Sequence, residues 1–171
     1  MFYTVGGVPV LEEKHTKPNA AERAELPENY LKQFNYAEQM KRLKKALSME
    51  FYLEATFIEY AVIEDRIESF LRHAGVFNPK KHNSLNGKLN KLAEQQRCKT
   101  GLIRKYVSDE LIASIHSWKN ERNILTHAMM KNNLTTEQLK KLAEDGEQIV
   151  KILNSKSTSY RRYLERHKEE K

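Results

Sequence analysis

Between about residue 30 and residue 155 the apolar positions recur at three- and four-residue steps, the spacing that gathers side chains on one face of an α-helix. Leu31, Phe34, Met40, Leu43 and Leu47 open the series, and Phe51, Phe57, Ile58, Ala61, Ile67 and Leu71 continue it. No Pro or Gly falls between Glu28 and His73, and Gly75 then supplies a C-terminal stop. A single helix of that length exceeds the usual globular range. The pattern therefore predicts two helices, or one strongly bent rod, with a break near Phe34-Asn35 or near Ser48. Across Phe51–Leu71 apolar residues occupy much of the circumference, which predicts a helix packed on two sides at the centre of a bundle.

The segment Val76–Ser84, with its Asn78-Pro79 step, predicts a loop. Leu85, Leu89 and Leu92 mark a short amphipathic helix. Ser108, followed by Asp109 and Glu110, predicts an N-cap whose first turn suits the helix dipole. Leu111, Ile112, Ile115 and Trp118 form the stripe of that helix, which runs towards Met130 and is expected to end at Asn132-Asn133. Thr135-x-x-Gln138 has the form of a capping box. It opens a last helix carried by Leu139, Leu142, Ile149, Ile152 and Leu153. The sum is an all-α, antiparallel helical bundle of four to five helices over residues 30–155. Residues 1–29 hold Pro9, Pro18, Pro27 and the Gly6-Gly7 pair. They predict an irregular N-terminal arm, either extended or folded into a short hairpin at the glycines. Residues 156–171 carry 6 basic and 3 acidic side chains and form a basic tail or an extension of the last helix.

Composition narrows the class. The 171 residues suit one domain, and no apolar run approaches the ~20 residues of a membrane span. The first residues lack the basic and apolar regions of a signal peptide. Cys98 is the only cysteine, so no internal disulfide is available. These features together predict a cytoplasmic protein without membrane association. Lys plus Arg is 30 against 23 Asp plus Glu, a formal charge of +7. That surplus suits a polyanionic partner such as RNA, or simply a well-solvated surface. Candidate phosphate contacts are Arg97, Lys99, Arg104, Lys105, Lys119, Arg161 and Arg162. The last two lie between Tyr160 and Tyr163, an arrangement that can stack bases and hold phosphates.

The segment Lys119–His127 concentrates the remaining chemistry. Arg binds phosphate bidentately and stays cationic. His moves protons near neutral pH, and an amide can orient the imidazole. These types suit metal-free RNA cleavage, in which the ribose 2′-hydroxyl attacks the adjacent phosphate. On an ideal helix Asn123 and His127 share a face. Arg122 and His127 stand about 140° apart, so one small target needs either a distorted helix or a second copy related by a two-fold axis. The blander reading leaves both as surface residues. Glu59, Glu64, Asp65 and Glu68 read as a solvated face or ion-pair partners, and no His-x-x-x-His or Glu-x-x-His pairing suggests a metal site. His73, His82 and His116 read as surface or core-edge residues, and Cys98 as incidental.

Arg122-Asn123-Ile124-Leu125-Thr126-His127 resembles the R-N-x-x-x-H form of the motif of HEPN domains. Those are small helical domains with a long early helix and the motif towards the end of a later one. The resemblance spans roughly residues 35–154. It implies a metal-independent endoribonuclease without a cofactor, active as a homodimer, with Arg122 and His127 catalytic and Asn123 supporting them. It also implies a toxin or phage-defence role and an antitoxin or other regulatory protein as partner. In the members paired with a nucleotidyltransferase antitoxin the motif continues to a tyrosine, and Met129 stands at that position here. Some members keep the fold without cleavage, so the alternative implied is a non-catalytic helical module that binds RNA, a nucleotide or a protein.

Overall fold

The computed structural model describes residues 4–5, 8–9, 28–129, 131 and 135–167. By mutual contact the chain divides into two units, Met1–Glu38 and Gln39–Lys171. In the first, β1 (Thr4–Val5) and β2 (Val8–Pro9) pair antiparallel, Thr4 opposite Pro9 and Val5 opposite Val8. Gly6-Gly7, where the sequence suggests a turn, lies outside the described residues, as does Asn132-Asn133. Five α-helices follow: α1 (Glu28–Ser48), α2 (Tyr52–His73), α3 (Leu85–Arg97), α4 (Asp109–Met129) and α5 (Thr136–Arg166). A 3₁₀ turn, Leu102–Lys105, links α3 to α4. The protein is an all-α helical bundle. No helix among the described residues is long and apolar enough to cross a membrane.

The helix ends follow local chemistry. Of the two breaks suggested by the sequence, the one at Ser48 is used and α1 runs through Phe34-Asn35. Glu50 takes a left-handed φ of 60°, and the Phe51 amide donates back to the Ala46 carbonyl at 2.8 Å. A side chain in that region costs roughly 1 kcal/mol. Gly75, at φ 71°, closes α2 in the same way, with the Val76 amide on the Leu71 carbonyl. Ser84 caps α3 by accepting from the Gly87 amide, and Ser108 accepts from the Leu111 amide at the start of α4. Thr135 and Gln138 form the reciprocal capping box at α5. That helix passes residue 155 without interruption, and Ser157 and Tyr160 beyond it are buried.

Two pairs of contacts give the sense of the helices. Trp118 meets Leu142, and Tyr106, just before α4, meets Tyr160, so α4 and α5 are antiparallel. Glu59 lies against Gly146 and Phe70 against Tyr160, so α2 and α5 run in the same direction. Strict up-and-down alternation would make that pair antiparallel. The short α3 and the 3₁₀ turn change the parity.

The core is built from Ala55, Ile63, Ile67 and Phe70 of α2, Leu85, Leu89 and Leu92 of α3, Ile115 and Trp118 of α4, and Leu142, Val150 and Leu153 of α5. Each large side chain so buried contributes about 1.5–3 kcal/mol. The buried stripe of α2 is offset from the one the apolar residues suggest. Phe51 and Phe57 are each 52% exposed, whereas Thr56, Glu59 and Arg66 are buried. Lys88 of α3 ties the outer side of α2 down with ion pairs to Glu64 at 2.9 Å and Glu68 at 2.7 Å.

Glu59 is fully buried, and neither carboxyl oxygen has a hydrogen-bond partner among the described residues. A Cβ at Gly146 would collide with its carboxyl group and stand 2.8 Å from Trp118 Nε1. Only glycine admits the carboxyl at this point of α5. Burial, helped by the neighbouring Glu147 charge, pushes the Glu59 carboxyl up to about 9. The folded protein therefore keeps this proton through neutral pH while the unfolded chain releases it above about 4.5. Since the folded state binds more protons in that window, stability contributed by Glu59 is complete below about pH 4.5 and declines as pH rises towards about 9. Urea unfolding at a series of pH values should show Glu59→Gln gaining on the wild type from pH 5 to pH 9. Parallel curves would contradict the buried neutral acid.

Candidate functional site

The Arg122–His127 motif occupies the C-terminal third of α4, which is regular α-helix to Met129. No local distortion brings Arg122 and His127 to one point. The placement of α4 is fixed by Trp118, whose Nε1–H donates to the Leu142 carbonyl at 2.9 Å. One turn later, on the same side, Arg122 meets α2. Its guanidinium carbon lies 4.9 Å from the ring centres of both Phe57 and Tyr60. Such contacts are worth about 0.5–1 kcal/mol at an exposed site, and here they hold a half-buried cation in one place without neutralising it. Burial raises the Tyr60 hydroxyl, the Glu64 charge raises it further, and Arg122 opposes both.

Asn123 and His127 are exposed on the neighbouring face, next to Ile124, which is 66% exposed. Leu125 turns into the core, and the Thr126 hydroxyl donates to the Arg122 carbonyl at 2.7 Å. Within one chain, then, Arg122 is held against aromatic rings while His127 faces solvent, and no contact joins them. Phe57 and Ile124 add large apolar groups to the two helix faces that carry Arg122 and His127.

The candidate phosphate-binding cations fall into separate places. Arg97, Lys99 and Arg104 border a recess of about 580 Å³ that Asp109 and Glu110 also line. Arg104 donates to the Lys99 carbonyl at 3.3 Å. Arg104 and Lys105 border a second recess between α4 and α5. Lys119 is tied across to Asn86 of α3 at 2.7 Å. Arg161 is half-buried, with its Nε unpartnered among the described residues, and Arg162 is exposed. Tyr160 is buried against Phe70 and Tyr106 and so is closed to base stacking, whereas Tyr163 is half-exposed and stacks on His167 at 4.0 Å. The start of α4 and the motif are separated by about 20 Å along the helix, so the first cluster and the motif do not form one pocket.

Among the described residues no group of three His, Cys, Asp or Glu is gathered for a metal ion. Glu64 and Glu68 are ion-pair partners of Lys88, and Asp65 pairs with Arg66. His116 is half-buried, and burial followed by the Lys119 charge holds its imidazole below the ordinary value. Cys98 is exposed, and hydrogen bonding to Thr100 lowers its thiol. The sequence does not single out Lys88 or the Glu59–Gly146 contact. A glycine in the middle of an otherwise unbroken helical pattern was the available signal, since such a position usually has a packing reason. No family model, no curated protein and no solved structure matches the chain.

Proposed function

We propose that this protein is a metal-independent endoribonuclease of HEPN type, with a composite site formed where the α4 helices of two copies meet. The observation that carries the reading is the division of labour on α4. Arg122 is fixed but not neutralised, and His127 is exposed without a hydrogen-bond partner among the described residues. Arg122 is suited to stabilise the charged phosphorane, and His127 to transfer a proton at the 2′-hydroxyl or the leaving 5′-oxygen. One histidine cannot serve both oxygens at once. A two-fold axis near Ile124 supplies the second, because an isologous interface presents the same patch twice. Asn123, one turn from His127 on the same face, orients the imidazole or donates to a phosphate oxygen. Arg97, Lys99 and Arg104 supply phosphate contacts at a distance from the cut. A toxin or phage-defence role, and an antitoxin or regulatory partner, belong to the same reading and rest on the motif alone.

His127→Ala should lower RNA cleavage by about 10²–10⁴-fold and Arg122→Ala by about 10²–10³-fold. Both variants should keep the wild-type circular dichroism spectrum. Asn123→Ala should fall less. Unchanged cleavage in the Arg122 and His127 variants would return the motif to ordinary helix surface.

Light scattering at micromolar concentration should give the mass of two chains, and Ile124→Glu should shift it towards one. That variant should also lose cleavage although Arg122 and His127 are intact. A monomeric Ile124→Glu protein that cleaves at full rate would remove the composite site.

RNA affinity should fall steeply as salt rises, because each neutralised phosphate releases counterions. Replacing Arg97, Lys99 and Arg104 with Ala should flatten that dependence. An unaltered slope would place the phosphate contacts elsewhere.

A further inference from the structure

We propose that the groove between α4 and α5 is a docking site for a short amphipathic helix of a partner protein, acidic at one end and basic at the other. The groove has a volume of about 610 Å³, within the range of built binding recesses. Leu111, Trp118 and Ile149 close its floor as core side chains no more than 7% exposed, and Ile152 is the large apolar side chain that opens into it. Ile152 is 44% exposed although it sits between two helices of the bundle.

The charges along the groove are sorted. Because α4 and α5 are antiparallel, the beginning of α4 lies beside the later turns of α5. This gathers Arg104, Lys105 and Lys156 at one end and Glu121 and Asp145 at the other. Lys105, Lys156, Glu121 and Asp145 make no ion pair among the described residues. Glu110, also at the cationic end, accepts from the Ser108 hydroxyl and stays ionised, so three cations face one carboxylate there.

The shape selects the occupant. The lining of α4 extends from Glu110 to Glu121, about 16 Å at 1.5 Å per residue, which is three turns of helix. Two adjacent helices present a channel in which a third packs by its ridges, with anchors at i, i+3, i+4 and i+7. A nucleic acid strand would carry phosphates past Glu121 and Asp145, which repel them. A small anion would satisfy the cationic end and leave Ile152 uncovered. Arg122, Asn123 and His127 do not line the groove, which shares Arg104 alone with the residues named in the nuclease reading.

Trp118 lines the groove but is 2% exposed, so binding is read from the anisotropy of a labelled peptide. The probe is a synthetic peptide of about three turns, with leucines at helical spacing, aspartates at one end and lysines at the other. Carrying a fluorescent label and titrated with the full-length protein, it should rise in anisotropy and gain helical circular dichroism. A peptide of the same composition with its charges mixed at both ends should bind roughly tenfold or more weakly. Ile152→Glu, an exposed substitution, should weaken the sorted peptide by a similar factor by placing an unpaired charge under it. The proposal is overturned by an unchanged anisotropy, by equal binding of the two peptides, or by binding that Ile152→Glu leaves intact. It is equally overturned if a labelled RNA oligonucleotide, and not the peptide, loses affinity on Ile152→Glu.

Discussion

Gly146 lets the Glu59 carboxyl of α2 lie against the backbone of α5, and the exposed chemistry of the bundle follows from that close approach. A side chain at residue 146 would push the two helices apart. With α5 at this depth, Leu142 one turn earlier offers its carbonyl to Trp118, and the rotation of α4 is set. Arg122, one turn beyond Trp118, then lands on Phe57 and Tyr60, the residues two before and one after Glu59. Leu125 goes inward, while Ile124 and His127 remain outside. A single buried contact thus decides which face of the motif helix meets solvent.

The same contact carries a free-energy penalty. A buried polar group without a partner costs about 1–3 kcal/mol, and Glu59 has two such oxygens. It escapes the larger cost of a buried charge by keeping its proton. Apolar packing along α2 and α5 has to offset the remainder, aided by the Lys88 pairs on the other side of α2. Nothing in the proposed chemistry uses the Glu59 proton. Its effect on the site is indirect, through the seating of α4.

Helices whose ends are written in local chemistry were legible. Ser84, Ser108 and the Thr135–Gln138 box act within a few residues and need no tertiary information. The buried stripe of α2 was not, because its apolar residues cover too much of the circumference to name one face. Phe57 looks like core and is surface, while Glu59 looks like surface and is core. Tertiary contact with Gly146 decides that, and no pattern within α2 contains it. Arg122–His127 reads as helix in the sequence and lies on α4, but the aromatic pair that holds Arg122 comes from a helix distant in sequence. The candidate cations form a single group only in composition. In space Lys119 is occupied with Asn86, and Arg97, Lys99 and Arg104 lie near the other end of α4.

The central claim is that Arg122 and His127 serve attack by a ribose 2′-hydroxyl on its own phosphate. The ends left on the RNA test it most directly. Fragments from a defined oligoribonucleotide, cut in the presence of EDTA, should carry 2′,3′-cyclic phosphate and 5′-hydroxyl groups by mass spectrometry, and a 2′-deoxy residue at the cut position should block that cut. Fragments with 5′-phosphate ends, or cleavage that stops with EDTA and passes through the 2′-deoxy position, would contradict the account.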